Sequence, residues 1–146
     1  MTRVDFYVLP SSEPQPRRIL ACKLAEKAWR LGMKIYVHTG SDAEDRIMDD
    51  LLWTFRQGSF IPHTLASAPA DDRADVPVAI GHASPPPDFA DLLINLSADA
   101  PPEIERFTRV AELVDQDETV RDKGRQRYRQ YRERGLELET HNLDAA

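Results

Sequence analysis

The first 55 residues run strand, helix, strand, helix with short connections, and few folds accommodate that order. RVDFYVL (residues 3–9) alternates and is rich in β-branched and aromatic residues, which fits a strand. After the Pro/Ser loop PSSEPQP (10–16), a helix over 17–31 places Leu20, Leu24, Ala28 and Leu31 on one face. Lys23, Glu26, Lys27 and Arg30 lie opposite, and Gly32 ends the helix. MKIYVHT (33–39) is a second strand. Ser41 and Glu44 have the spacing of a capping box for a helix over 42–55. Strands joined through helices return to the same end of the sheet and pair in parallel. The expectation is therefore an α/β domain around a mainly parallel sheet.

VPVAI (76–80) and LLINLS (92–97) read as further strands around the turn-rich GHASPPPD, and RVAELVD as a strand ending at Val114. RQGSFIPHTLASAPADDRAD (56–75) reads as a long loop, with room for one short edge strand. Acids at 115–118 suit the start of a final helix over 117–134, stopped by Gly135. LELETHNLDAA (136–146) reads as a frayed acidic tail. The 146 residues fit one domain, 1–146, without repeats. No apolar run approaches the roughly 20 residues that cross a bilayer. MTRVDFYVLP turns polar too soon for a signal peptide. Cys22 is the single cysteine, so neither an internal disulfide nor a cysteine-rich zinc site is available. Together these points favour a cytoplasmic protein.

A strand–helix–strand opening raises the question of a bound nucleotide. Cradling phosphates needs backbone N–H groups that approach the anion closely, which glycines permit. The first turn, LPSSEPQPRR, has three prolines and no glycine, and no Walker sequence occurs. Gly40 stands alone, as a turn before a helix cap would have it. His38, His63, His82 and His141 show neither HxH nor HxxxH spacing and read as turn or surface residues. Asp45, Asp49 and Asp50 read as a solvated helix face. Cys22 reads as a small hydrophobe, and Ser11 and Ser12 have no histidine nearby in sequence. No catalytic, metal-binding or cofactor-binding residue is assigned, and no intrinsic catalysis is expected.

Two features point outward. The apolar stripe of the second helix is Ile47, Met48, Leu51, Leu52 and Phe55, and Trp53 falls off it. With Phe60, Ile61 and Pro62 of SFIPH, Trp53 makes either an exposed apolar patch suited to a partner or a satellite cluster under a folded-back loop. The second feature is RDKGRQRYRQYRERG (121–135), with seven Lys or Arg against two acids in a chain of formal net charge −6. On a helical wheel Arg121, Arg125, Arg129 and Arg132 form one stripe with Tyr128. Val120, Gly124 and Tyr131 form a narrower side suited to packing on the sheet. The helix dipole favours cations at the C-terminal end, which accounts for Arg132 and Arg134 but not for Arg121 and Arg125. Guanidinium groups pair bidentately with carboxylates or phosphates. The stripe therefore suits an acidic peptide with a hydrophobic anchor, or a phosphate backbone. The acidic overall balance argues against broad nucleic-acid coating.

TRVDFYVL at the start, LLWTFRQGSFIPHTLA in the middle and RQRYRQYRERG near the end occur in the same order as in the chi subunit of bacterial DNA polymerase III. The chain resembles that family from its first strand to Gly135. The most specific parts are residues 53–63 and the RYxxYR element at 127–132; the loop at 66–75, the proline run at 85–87 and the stretch after Gly135 depart from it. The resemblance implies a Rossmann-like three-layer α/β fold with no nucleotide-binding glycine loop. It implies a non-catalytic accessory subunit of the clamp-loader assembly, acting in DNA replication without a cofactor. The implied partners are the psi subunit of the clamp loader, in a one-to-one heterodimer, and the C-terminal tail of single-stranded DNA-binding protein, an acidic peptide ending in phenylalanine. DNA itself is then met only indirectly.

Carried over by motif, the tail site is Arg121, Arg125, Tyr128 and Arg129, with apolar contact from Val114. The psi-facing surface includes Trp53, Phe60 and Pro62, with Ile61 beside them. The wheel selects the same basic positions, whereas Val114 comes from the family alone. A helicase-like protein is an alternative occupant of the Trp53 surface. Two other readings stay open: direct single-stranded nucleic-acid binding through the basic helix, and a nucleotide-binding Rossmann-like enzyme. Direct binders interleave several aromatics for base stacking, and this segment offers two tyrosines.

Overall fold

The chain is described by a computed structural model covering residues 2–58, 60–68 and 75–143. Its strands are β1 (Arg3–Val8), β2 (Ile35–His38), β3 (His63–Leu65), β4 (Val78–Gly81), β5 (Leu92–Asn95), β6 (Arg109–Val114) and β7 (Glu137–Asn142). The helices are α1 (Pro14–Arg30), α2 (Asp42–Thr54) and α3 (Glu118–Glu133), with a 3-10 turn at Ile104–Arg106. The strands form one sheet in the order β3-β4-β2-β5-β6-β1-β7, and every pairing is parallel. β2, β4 and β5 are buried along their whole length, as central parallel strands covered on both faces must be.

Alternate strand residues point to opposite faces. On one face α1 and α2 bury Ala21, Ala25, Met48 and Leu52 against Ile35, Val37, Ile80 and Ile94. On the other, Tyr131 of α3 and Ile104 and Phe107 around the 3-10 turn cover Val4, Phe6, Leu93 and Val110. This is the Rossmann-like three-layer arrangement expected. The β1–α1 connection carries no glycine.

Several local expectations are revised. Helix α1 begins at Pro14, because proline fits the first helical position, where its missing N–H is not needed. Its buried stripe is Ala21, Cys22, Ala25 and Ala28 rather than the leucines, and Leu31 is 71% exposed. Small side chains let this helix sit close to the sheet. Burial pushes the Cys22 thiol up to about 12, so it is inert at neutral pH. Glu26, expected on the solvated face, is buried in ion pairs with Arg56 and Arg30. Ser41 caps α2 by accepting from the Glu44 N–H at 3.2 Å. The Glu44 carboxylate goes to Arg18 at 2.9 Å instead of completing the box. In agreement with expectation, the loop over 56–75 holds one short edge strand, β3; residues 59 and 69–74 of it lie outside the described residues.

The largest correction concerns the segment read as a frayed tail. Most of it is β7, which pairs in register with all of β1; residues 144–146 lie outside the described residues. Its side chains explain the pairing. His141 stacks on Tyr7 with ring centroids 4.9 Å apart and reaches Asp5 at 2.9 Å. Glu139 pairs with Arg3, and Leu138 packs on the second core. The remaining acid of the strand, Glu137, suits an edge, where charge discourages further pairing.

His38, read as a surface residue, is buried in β2 with Nδ1 facing Asn95 Oδ1 at 3.3 Å and Ser97 Oγ at 3.1 Å. Burial lowers its pKa, partly offset by Asn95 and Asp45. Above the ordinary imidazole value His38 is neutral in folded and unfolded chains alike. Below about pH 6.5 the unfolded chain takes up a proton that the folded chain refuses, so stability falls with pH until the folded pKa is reached. His38→Gln is expected to flatten that part of the pH profile. Urea unfolding of both proteins across the acid range measures the difference.

Candidate functional site

Helix α3 is set on the sheet by a buried polar network. Glu112, in the middle of β6, receives Arg127 Nε at 2.9 Å and the Tyr131 hydroxyl at 2.5 Å. Asn95 Nδ2 donates to both its oxygens, at 2.9 and 3.1 Å. Arg127 Nη1 donates to the Ala98 carbonyl at 2.6 Å. Burial raises the Glu112 pKa, and Arg127 with the donated hydrogen bonds pulls it back. The network fixes which side of α3 faces inward, and so which side faces out. Asp117 caps the helix, its Oδ2 accepting from the Val120 N–H at 3.1 Å.

The outward consequence is a groove of about 230 Å³ beyond the C-terminal ends of β1 and β6. Phe6, Val8 and Val114 line it from the strands; Arg121, Arg125 and Tyr128 line it from α3. Thr140 of β7 closes one side. The Tyr128 ring stands edge-on to Phe6, with centroids 5.3 Å apart. Arg125 is exposed and Arg121 half-buried. Among the described residues no ion pair engages Arg121, Arg125 or Arg129. Arg121 Nε is buried without a hydrogen-bond partner. An apolar slot beside unengaged guanidinium groups can take a ligand carrying both a ring and carboxylates.

Four of the five residues expected at the tail site thus meet around one groove: Val114, Arg121, Arg125 and Tyr128. Arg129 is exposed on the next position of the helix and does not line it. The sequence reading missed Phe6, Val8, Asp115, Gln116 and Thr140. The period-2 alternation of β1 already placed Phe6 and Val8 on one face. Thr140 carried no signal, because its strand was not recognised.

Gly124 lets α3 approach β6. A Cβ there would lie 2.5 Å from Val114 Cγ1, a stiff β-branched side chain that cannot swing away. Alanine would gain about 1 kcal/mol of helix propensity, against overpacking of about 1–3 kcal/mol. Gly124→Ala is therefore expected to lower stability by about 1 kcal/mol, read from the urea midpoint, and to narrow the groove.

On the second surface Trp53 is 46% and Phe60 63% exposed, with ring centroids 5.4 Å apart. Trp53 also leans on His63, at 4.4 Å. Ile61, expected beside them, is fully buried in the core with Met48 and Leu52, because the chain after α2 turns back beneath the helix. Pro62 is half-buried. The open patch is therefore Trp53 and Phe60, with Ile61 as its anchor into the core.

Several titratable groups outside these two surfaces are engaged within the chain. Asp45, read as part of a solvated face, is buried, bonded to Thr39 Oγ1 and 2.5 Å from His82 Nδ1. His63 Nε2 lies 3.0 Å from the Asp49 carbonyl. Asp5, Glu139 and His141 bring potential metal-ligand atoms within 4.8 Å of one another. Arg3 and Arg109 already neutralise Asp5 there, so the donor set is spent on cations of the chain itself. No helix among the described residues is long and apolar enough to cross a membrane.

The family described as "DNA polymerase III chi subunit, HolC" matches residues 1–139. The chain is 48% identical to the DNA polymerase III subunit chi of Pseudomonas aeruginosa over 143 residues, covering 98% of each chain. It is 30% identical to the subunit chi of Haemophilus influenzae, covering 95% of this chain and 96% of that one. With the Escherichia coli subunit chi the identity is 29%, over 83% of this chain and 82% of the other.

Proposed function

The chain belongs to the family of DNA polymerase III chi subunits, and from that premise we propose that it is a non-catalytic adaptor of the replication machinery. One surface holds the acidic C-terminal tail of single-stranded DNA-binding protein; the other docks the psi subunit of the clamp loader. The observation that carries the tail reading is the groove itself, an apolar slot flanked by two guanidinium groups that form no ion pair among the described residues. The tail's carboxylates meet Arg121 and Arg125, and its terminal ring enters beside Val114, Phe6 and Tyr128. Arg129 contributes charge from outside the slot.

Exposed charge pairs contribute about 0–1 kcal/mol each. Affinity is therefore modest, falls with salt and depends on the ring. A weak contact suits a tether that must release during synthesis, and many tails on one coated strand raise the effective concentration. The test is a pair of separate titrations at one salt concentration, one with an acidic peptide ending in phenylalanine and one with a short DNA single strand. The peptide is expected to bind and the strand is not. The reverse result would replace the adaptor with a direct nucleic-acid binder.

The psi reading rests on the exposed pair Trp53 and Phe60. Trp53→Ala is expected to abolish co-purification with psi while leaving tail-peptide affinity unchanged. A folded variant that still retains psi would free this surface for another partner.

A further inference from the structure

A second cavity, of about 210 Å³, opens beside the N-terminal turns of α3 and shares no lining residue with the groove. Its position follows from topology. β2 leads into α2 on one face of the sheet, and the neighbouring β5 leads to the 3-10 turn on the other. Neighbouring strands whose connections part in this way leave a crevice beyond their C-terminal ends, where open α/β sheets bind ligands. Gly40, after β2, and Ser97, after β5, line this one, with Arg17 of α1 and Thr119, Lys123 and Arg127 of α3.

The lining is cationic, and its cations are incompletely engaged. Glu44 is its one carboxylate, and Arg18 already holds it at 2.9 Å. Arg17 Nε meets Asp115 only at 3.8 Å, and Lys123 Nζ meets Asp99 only at 3.9 Å, both too long for hydrogen bonds. Three buried side-chain polar atoms among the described residues lack any hydrogen-bond partner; two of them, Arg17 Nε and Arg127 Nη2, belong to this lining. Arg127 is 2% exposed, and its other two nitrogens are held by Glu112 and the Ala98 carbonyl. A guanidinium N–H left unpaired in the interior is unfavourable, and an oxyanion is the partner it fits best. The first turn of α3 contributes Thr119 to the lining, while the Asp117 cap already meets its dipole. The space is below the roughly 300–1,000 Å³ of pockets that enclose a whole drug-sized ligand.

We propose that this crevice binds a single tetrahedral oxyanion of the phosphate class, supplied as free phosphate or as the phosphomonoester end of a polynucleotide. The site is independent of the tail groove and holds one phosphoryl group rather than a nucleoside. The glycine-poor first turn agrees, since no run of phosphates needs cradling.

The full-length ¹⁵N-labelled protein, titrated with inorganic phosphate at constant ionic strength, tests it. Saturable shifts are expected at the amides of Gly40, Thr119 and Lys123 and at Arg17 Nε. Lys123→Glu changes a half-exposed, loosely paired residue and is expected to weaken phosphate binding about tenfold or more, without altering tail-peptide affinity. Arg125→Ala is expected to do the opposite. Oligonucleotides with and without a 5′-phosphate separate the sources: selective binding of the phosphorylated end points to a polynucleotide terminus, and phosphate binding alone to the free ion. Shifts reproduced by chloride, no saturable shift in the crevice, or a phosphate response lost with Arg125→Ala would each overturn the proposal.

Discussion

Glu112→Ala is expected to cost the fold about 3–5 kcal/mol, because removing one partner of a buried ion pair strands the other. Glu112 is fully buried, and three side chains converge on it: Arg127, Tyr131 and Asn95. Without the carboxylate a guanidinium, a phenol and an amide all lose their acceptor in a dry interior. A domain of this size has about 5–15 kcal/mol in total, so the variant sits near the edge of folding. Removing both charges behaves differently, since much of the attraction between Glu112 and Arg127 only offsets their desolvation. Glu112→Leu combined with Arg127→Leu is expected to recover part of the loss, the share owed to the stranded guanidinium, while Tyr131 and Asn95 still lack their acceptor. Urea unfolding of the single and double variants gives the comparison. A single variant within about 0.5 kcal/mol of the parent, the range of ordinary surface substitutions, would mean that apolar packing alone orients α3.

That network also marks the boundary of what the sequence discloses. β1, β2, α2 and α3 declare themselves through local periodicity and caps, because burial of one face imposes a repeat on the residues that make it. Arg127 was within reach of the same reasoning. It lies beside Gly124 and Tyr131 on the helical wheel, on the side that packs on the sheet, yet arginine is so rarely buried that the wheel alone does not assign it there. Its partner, Glu112, is a single acid in the strand RVAELV, and no local pattern announces a buried carboxylate. β7 is harder still. ELETHN has no alternation of apolar residues, and it pairs because Asp5 and Tyr7, far away in the chain, face His141 across the strand. Ile61 and Trp53 show the converse. Eight residues apart, they look alike in composition, and only the return of the chain beneath α2 sends one into the core and leaves the other open. The groove was therefore legible on its helical wall, partly legible at Phe6 and Val8, and silent at Thr140.

Arg125→Ala is expected to weaken binding of the acidic tail peptide about tenfold, equivalent to about 1.4 kcal/mol, while the melting temperature barely moves. The two halves have separate causes. Arg125 is exposed and has no ion-pair partner among the described residues, so truncating it breaks no ion pair of the folded chain. In the complex it would face a carboxylate at the lip of an apolar slot, where water is partly excluded. There a charge-assisted hydrogen bond exceeds the 0–1 kcal/mol of a fully solvated pair. Arg129 lacks that slot, so Arg129→Ala should fall within the solvated range and lose most of its effect at high salt. Tyr128→Ala removes apolar contact instead, and its loss should persist when salt is raised. Isothermal titration at two salt concentrations, with a thermal scan of each variant, separates these cases. Unchanged affinity in Arg125→Ala would remove α3 from the tail site, whereas equal losses at Arg125 and Arg129 would indicate diffuse attraction to a basic helix rather than recognition by a groove.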